Sequence, residues 1–277
     1  MSNTVAVTGP VSGKRSWLLP LVFAAQVPIM LLVGNLSRRG YSLPSLWAVV
    51  AISMLVFLMA LGESKGRIGG VLITNHNVMS LSRFQIVAWT LLICSAFVTV
   101  ALARIFDPNK TVMVKGKPVV IEPLAIELPE ELWQLLGISG ASTIGAALVM
   151  QRKTQKTPAP GEVTRAAGAM KQSPEKTEEQ MDGVAYRNTD PKEARFTDMF
   201  EGDEITNAAY IDISKVQMFF FTLIALVAYG SALWKFMDGS IDSLGKFPEV
   251  TSGLVALLGI SHATYIGNKS VDQTKTA

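Results

Sequence analysis

Leu135-Leu136-Gly137-Ile138-Ser139-Gly140-Ala141-Ser142-Thr143-Ile144-Gly145 returns near the C-terminal end as Leu257-Leu258-Gly259-Ile260-Ser261-His262-Ala263-Thr264-Tyr265-Ile266-Gly267. In both copies Gly, Ala and Gly stand at i, i+4 and i+8, so on a helix they form one narrow stripe with almost no side chain. Such stripes let helices approach closely inside a bilayer, where dispersion and backbone contact replace the hydrophobic effect as the cohesive force. Gly137, Ala141 and Gly145, with Gly259, Ala263 and Gly267, are therefore expected to be helix-packing residues.

A second duplicated stretch lies upstream of each copy. Ile73-Thr74-Asn75 through Ser82-Arg83-Phe84-Gln85 is matched 132 positions later by Ile205-Thr206-Asn207 through Ser214-Lys215-Val216-Gln217, and the register persists through Trp89-Thr90-Leu91 against Phe221-Thr222-Leu223. The repeat unit is thus a polar lead-in, a long apolar helix, a loop and a second helix rich in small residues. Ser82 with Gln85, and Ser214 with Gln217, have capping-box spacing and are expected to cap the helices that follow. The short runs 78–81 and 210–213 just ahead are expected to be juxtamembrane strands or turns, able to pair with each other. Leu43-Pro44 through Trp47 and Ile52-Ser53 echo Leu128-Pro129 through Trp133 and Ile138-Ser139, which suggests a degenerate third copy.

Apolar residues are gathered into blocks at 17–33, 46–61, 84–103, 132–150 and 216–234, each near the roughly 20 residues needed to cross about 30 Å of hydrocarbon. A sixth block, 250–267, is more polar and is assigned as a span through its resemblance to the fourth. The fold class expected is an all-α integral membrane protein of six transmembrane helices arranged as hairpins. Its expected divisions are an N-terminal tail 1–16, a first hairpin 17–62, repeat copies 70–150 and 196–267, a linker 151–195 and a C-terminal tail 268–277. Lys14-Arg15 ahead of the first block could open a signal peptide, but no small-x-small cleavage site follows, so a retained span is expected. Cys94, the one cysteine, lies within a span and can form no internal disulfide.

Between the third and fourth blocks, apolar runs around Lys115-Gly116-Lys117-Pro118 predict a small hairpin or a tight loop. From 151 to 195 large apolar residues nearly vanish and Lys, Thr, Pro, Glu and Gln dominate, which predicts a disordered linker. Phe196, Met199 and Phe200 could cover one helical turn at the membrane surface. Glu201-Gly202-Asp203-Glu204 lacks the alternating ligands of a calcium loop and is expected to be a solvated acidic turn. Gln26, between Pro20 and Pro28 in the first span, is expected to make an interhelical hydrogen bond.

Lys and Arg near the span ends are modestly more numerous on the side of the N-terminus, the linker and the C-terminus, which places those segments in the cytoplasm. A net charge of +3 gives no reason to expect a nucleic-acid partner. Neither a nucleotide loop nor a nucleophile with its base nor a metal-ligand spacing is present, so no catalytic, cofactor-binding or metal-binding residue is assigned. No Asp, Glu, Lys or Arg occupies the middle of a span, whereas ion pathways commonly use such residues. The expectation is a non-enzymatic structural or assembly subunit of a membrane complex, in contact with lipid and with protein partners or further copies of itself. A channel or transporter for a small or uncharged solute is the alternative, with Ser139, Thr143, Ser261, His262 and Thr264 able to line a polar path.

The units Ser-Arg/Lys-x-Gln-x-x-x-Trp/Phe-Thr and Leu-Leu-Gly-Ile-Ser resemble those of uncharacterised bacterial multi-pass membrane proteins. The resemblance covers 70–150 and 196–267. It implies the bacterial inner membrane and carries over no activity, cofactor or site residue.

Overall fold

The computed structural model describes residues 18–64, 66–107, 111–114, 117–120, 122–239 and 244–277, so the expected tail 1–16 lies outside it. Five helices are long and apolar enough to cross a membrane: α1 (Leu18–Arg38), α2 (Leu43–Glu63), α3 (Leu81–Phe106), α4 (Glu130–Thr154) and α7 (Ile213–Met237). At 1.5 Å per residue even the shortest covers about 30 Å. The last helix, α8 (Ser252–Ser270), has 19 residues and falls short of the others in apolarity. Pro129 caps α4, Glu130 and Glu131 occupy its first turn and Arg152 and Lys153 its last, an arrangement that complements the helix dipole at both ends.

The N-terminal ends of α3 and α7 differ from the capping-box expectation. Ser80, not Ser82, caps α3 by accepting from the Arg83 amide, and Asp212, not Ser214, caps α7 by accepting from the Ser214 amide at 2.9 Å. Each helix starts two residues earlier than the Ser-x-x-Gln pattern indicates, so Ser82 and Gln85 become interior positions. Gln217 is exposed. The expected pairing of 78–81 with 210–213 does not form either: Met79 bridges Ile73, and Ile211 bridges Glu201.

Four helices close a ring, with α3 and α8 each packed against both α4 and α7. Within it, contacts match in order along the chain. Phe84 meets Phe219 and Trp89 meets Tyr229, so α3 and α7 run parallel; Ile138 lies at Gly259 and Ile266 at Gly145, so α4 and α8 do too. Glu127 and Lys246 form a parallel bridge at the end where α4 and α8 begin, with the Phe247 amide donating to the Glu127 carbonyl at 2.9 Å. The hairpin β1 (Thr111–Val114)–β2 (Lys117–Val120) follows α3 at that end, as its sequence predicts. The α1–α2 hairpin packs on the outside of α3, and Gln26 makes the expected interhelical bond, donating to the Ser53 carbonyl at 3.3 Å.

The small-residue stripes do not hold the ring together. Gly137, Ala141, Ala263 and Gly267 are exposed, and only Gly145 and Gly259 face a neighbour, each meeting one isoleucine at van der Waals distance. Larger residues on other faces of α4 and α8, including Leu132, Leu135, Leu258 and Tyr265, turn inward instead, because they bury more area and fill the ring.

The segment 151–195 is folded, not disordered. It forms α5 (Glu162–Met170), α6 (Pro174–Glu179) and a two-residue hairpin of β3 (Met181–Asp182) and β4 (Ala185–Tyr186), and it buries Ala166, Ala167, Val184, Ala185 and Ala194. Two features compensate for the lack of large apolar residues. The hairpin docks on the end of α4, where Val184 donates to the Lys153 carbonyl at 3.1 Å and satisfies a helix-end acceptor. Gly183, at φ +63°, makes that approach possible, since a Cβ there would lie 2.6 Å from the Thr154 carbonyl carbon. Together with the loop 66–80, residues 196–212 and the tail 271–277, this segment makes a polar cap over one end of the ring.

Candidate functional site: a charged cavity and polar seam

Three lysines at helix ends turn into the cap. Lys153, from the last turn of α4, pairs with Glu204 at 2.6 Å; Lys215, from the first turn of α7, and Lys269, from the last turn of α8, both pair with Asp203, at 3.1 and 2.7 Å. Glu204 is 0% exposed and also accepts the Gln273 and Thr274 amides, so it fastens the C-terminal tail. The acidic turn is therefore a buried electrostatic junction, in contradiction to the solvated turn expected. Burial alone would raise the Asp203 carboxyl, but Lys215 and Lys269 together hold it well below the usual carboxylate range.

Beside this junction lies a cavity of about 270 Å³ between the cap and the ends of α3, α4, α7 and α8. His76, Asp182, Asp203, Lys215, Lys269 and Tyr265 line its polar side, and Ala146, Ala147 and Met150 of α4 its apolar side. Burial pushes the His76 imidazole below its ordinary range and so favours the neutral form. Burial also raises Asp198, against the opposing effect of the Arg195 and Met79 amides that donate to it. Phe196 and Phe200, from the cap, pack on Phe219 of α7, Phe200 at 5.2 Å, where the sequence places an apolar turn at the membrane surface.

The cavity ends on a hydrogen-bonded layer across the ring. Ser82 and Tyr265 share a hydrogen bond at 3.3 Å from α3 to α8, and Thr143 of α4 donates to the Ser82 carbonyl at 3.3 Å. One turn deeper, Gln85 donates to Thr222 of α7 at 2.6 Å, and Ser139, Ser142, Ser261 and His262 are buried. Beyond them the ring is apolar, filled by Trp89, Leu135, Tyr229 and Leu258. Of the residues expected to line a polar path, Ser139, Thr143, Ser261 and His262 are thus brought into one seam; Thr264 is exposed and bonds its own helix at the Ile260 carbonyl.

The arrangement offers hydrogen bonding and charge pairing. Among the described residues no three His, Cys, Asp or Glu side chains converge as a metal site requires. Sequence reasoning missed Lys153, Lys215, Lys269, Asp203 and Glu204 as a unit. Each lysine was visible at a span end, but only the fold of the cap brings the acids to them. No protein-family model, no curated protein and no solved structure matches the chain.

Proposed function

We propose that this chain is a non-enzymatic subunit of a membrane assembly, a six-span protein whose two repeated hairpins lie side by side with one polarity. Its carrying observation is the outward direction of the small-residue edges. Gly137 and Ala141 on α4, and Ala263 and Gly267 on α8, face away from the chain's own core, on two parallel neighbouring helices. Edges of that kind suit close contact with helices of another subunit. The sixth span is α8, which lies between α4 and α7 along most of its length and would cover about 28 Å. The parallel pairing of α3 with α7 and of α4 with α8 is the packing expected of direct repeats. Positive residues at the cap end favour a cytoplasmic cap with both termini on that side, in a bacterial inner membrane.

Ala141→Leu combined with Ala263→Leu tests the assembly role. In mild detergent the doubly substituted protein should lose its companions or its higher oligomer while keeping the thermal stability of the isolated chain. An unchanged particle size would remove the case for these edges as contacts.

A channel for a small uncharged solute is the second reading, favoured by the polar seam within the ring. Flux of uncharged solutes into liposomes containing the purified protein tests it. Among the described residues, Trp89, Leu135, Tyr229 and Leu258 pack as an apolar layer beyond that seam.

A further inference from the structure

Three polar atoms inside the ring have no hydrogen-bond partner among the described residues: Gln85 Oε1, Ser142 Oγ and His262 Nδ1. Their side chains are deeply buried, with 0, 3 and 5% of the residue exposed. Leaving a buried polar atom unsatisfied is costly, so native interiors rarely leave one without a partner or a bound molecule. All three lie close along their helices to one hydrogen-bonded layer. Gln85 lies three residues beyond Ser82, His262 three before Tyr265, and Ser142 next to Thr143, while Ser82, Tyr265 and Thr143 are joined by hydrogen bonds. Each is thus within one helical turn of the same layer, on three different helices of the ring.

We propose that this inner layer is a binding site for a small uncharged hydrogen-bonding molecule, water at the least, reached only from the cap end through the cavity above Tyr265. Gln85 Oε1 can only accept, Ser142 Oγ can do both, and His262 Nδ1 takes whichever role its tautomer leaves. A guest carrying both donors and acceptors completes all three; a water molecule typically makes about three such bonds when buried. Among the described residues no formal charge stands in the layer to balance an ion, whereas in the cavity above Lys215 and Lys269 share Asp203. Trp89, Leu135, Tyr229 and Leu258 pack as a buried apolar cluster on the far side of the layer, so entry is expected from the cap end. The inference rests on the membrane-spanning reading and is independent of the assembly role.

The test uses the silver ion, which reaches thiols through water-filled passages, on the full chain in sealed vesicles with Cys94 replaced by Ala. Ser142→Cys is nearly isosteric, and His262→Cys provides a second position should the first fold poorly. Silver added on the cap face should abolish later maleimide labelling of either thiol, and silver on the hairpin face should leave it intact. Tyr265→Ala, which opens the floor of the cavity, should quicken the cap-face reaction. Reaction from neither face means a dry layer, and reaction at similar rates from both faces means a through-path; either overturns the proposal, as does reaction from the hairpin face alone. Control cysteines at Thr189 in the cap and Glu122 at the other end keep the spanning reading separate: if both label from one face, that reading is what has failed.

Discussion

Replacing Glu204 by Gln isolates the junction that orders the cap. The carboxylate is 0% exposed, holds Lys153 at 2.6 Å and accepts the Gln273 amide at 3.1 Å and the Thr274 amide at 2.5 Å. Glutamine preserves shape and one acceptor oxygen, so the change removes the charge beside a lysine whose side chain is only 4% exposed and turns one accepting oxygen into an NH2 that faces donors. Removing one partner of a buried ion pair costs about 3–5 kcal/mol, chiefly because the other charge is left uncompensated. Since every 1.4 kcal/mol is tenfold, amide hydrogen exchange in 181–206 and 271–277 should speed up by about a hundredfold to several thousandfold. Exchange within α1 and α2, which do not touch the junction, should stay as it was. Adding Lys153→Met removes the stranded charge and should recover about 2 kcal/mol or more. If Glu204→Gln alters exchange in the cap by less than about 0.5 kcal/mol, the pair is behaving like a surface contact and the junction does not order the cap.

Acidity should act on the same region in two stages. The His76 imidazole, held low by burial and faced by Asp182, Asp203, Arg187 and Lys269, binds its proton more readily in the unfolded chain, so stability is full above its ordinary value of 6.5 and declines as pH falls below it. His76→Asn should abolish that first decline in a detergent melting series. Asp203, whose carboxyl is depressed, contributes stability that persists down to its ordinary value of 3.8 and is lost only in stronger acid, so Asp203→Asn at neutral pH should open the cap as strong acid opens the parent protein. Gln85→Leu removes the 2.6 Å bond to Thr222 and also an unpartnered oxygen; Thr222 keeps its bond to the Met218 carbonyl, so the cost in thermal unfolding should stay under about 1 kcal/mol. Gly62→Ala should be far worse than Gly140→Ala. A Cβ at 62 would come within 2.7 Å of the Gly70 nitrogen and 2.8 Å of the Arg67 carbonyl oxygen, whereas at 140 it meets nothing.

Those last two glycines show what the sequence could reveal. Long apolar blocks made five helices legible, because crossing hydrocarbon imposes a length and a composition that single residues cannot disguise. The structure sets α3 parallel to α7, the direction that a lead-in duplicated in register would give them. The contact edge was not. A stripe of Gly and Ala announces that close approach is allowed, but not to what, and in this chain Leu135, Leu258 and Tyr265 turn inward while Gly137 and Ala263 face out. The cap was misread for a related reason. Composition between 151 and 195 lacks the large side chains that usually signal a core, yet Ala166, Ala167 and Val184 are buried where the end of α4 supplies a carbonyl to bond. Ser82 and Gln85 looked like caps because their spacing is that of a cap. Only the position of Ser80, two residues earlier, converts them into the polar interior of the ring.

The parallel setting of the two hairpins is tested most directly at Glu127 and Lys246. They face each other across a parallel bridge, where neighbouring backbones lie about 5 Å apart and two cysteines could join. With Cys94 replaced, Glu127→Cys paired with Lys246→Cys should cross-link readily under mild oxidation in native membranes, and each cysteine alone should label from the face opposite Thr189→Cys. Failure to cross-link, with the two positions labelling from opposite faces, would contradict the account at its centre.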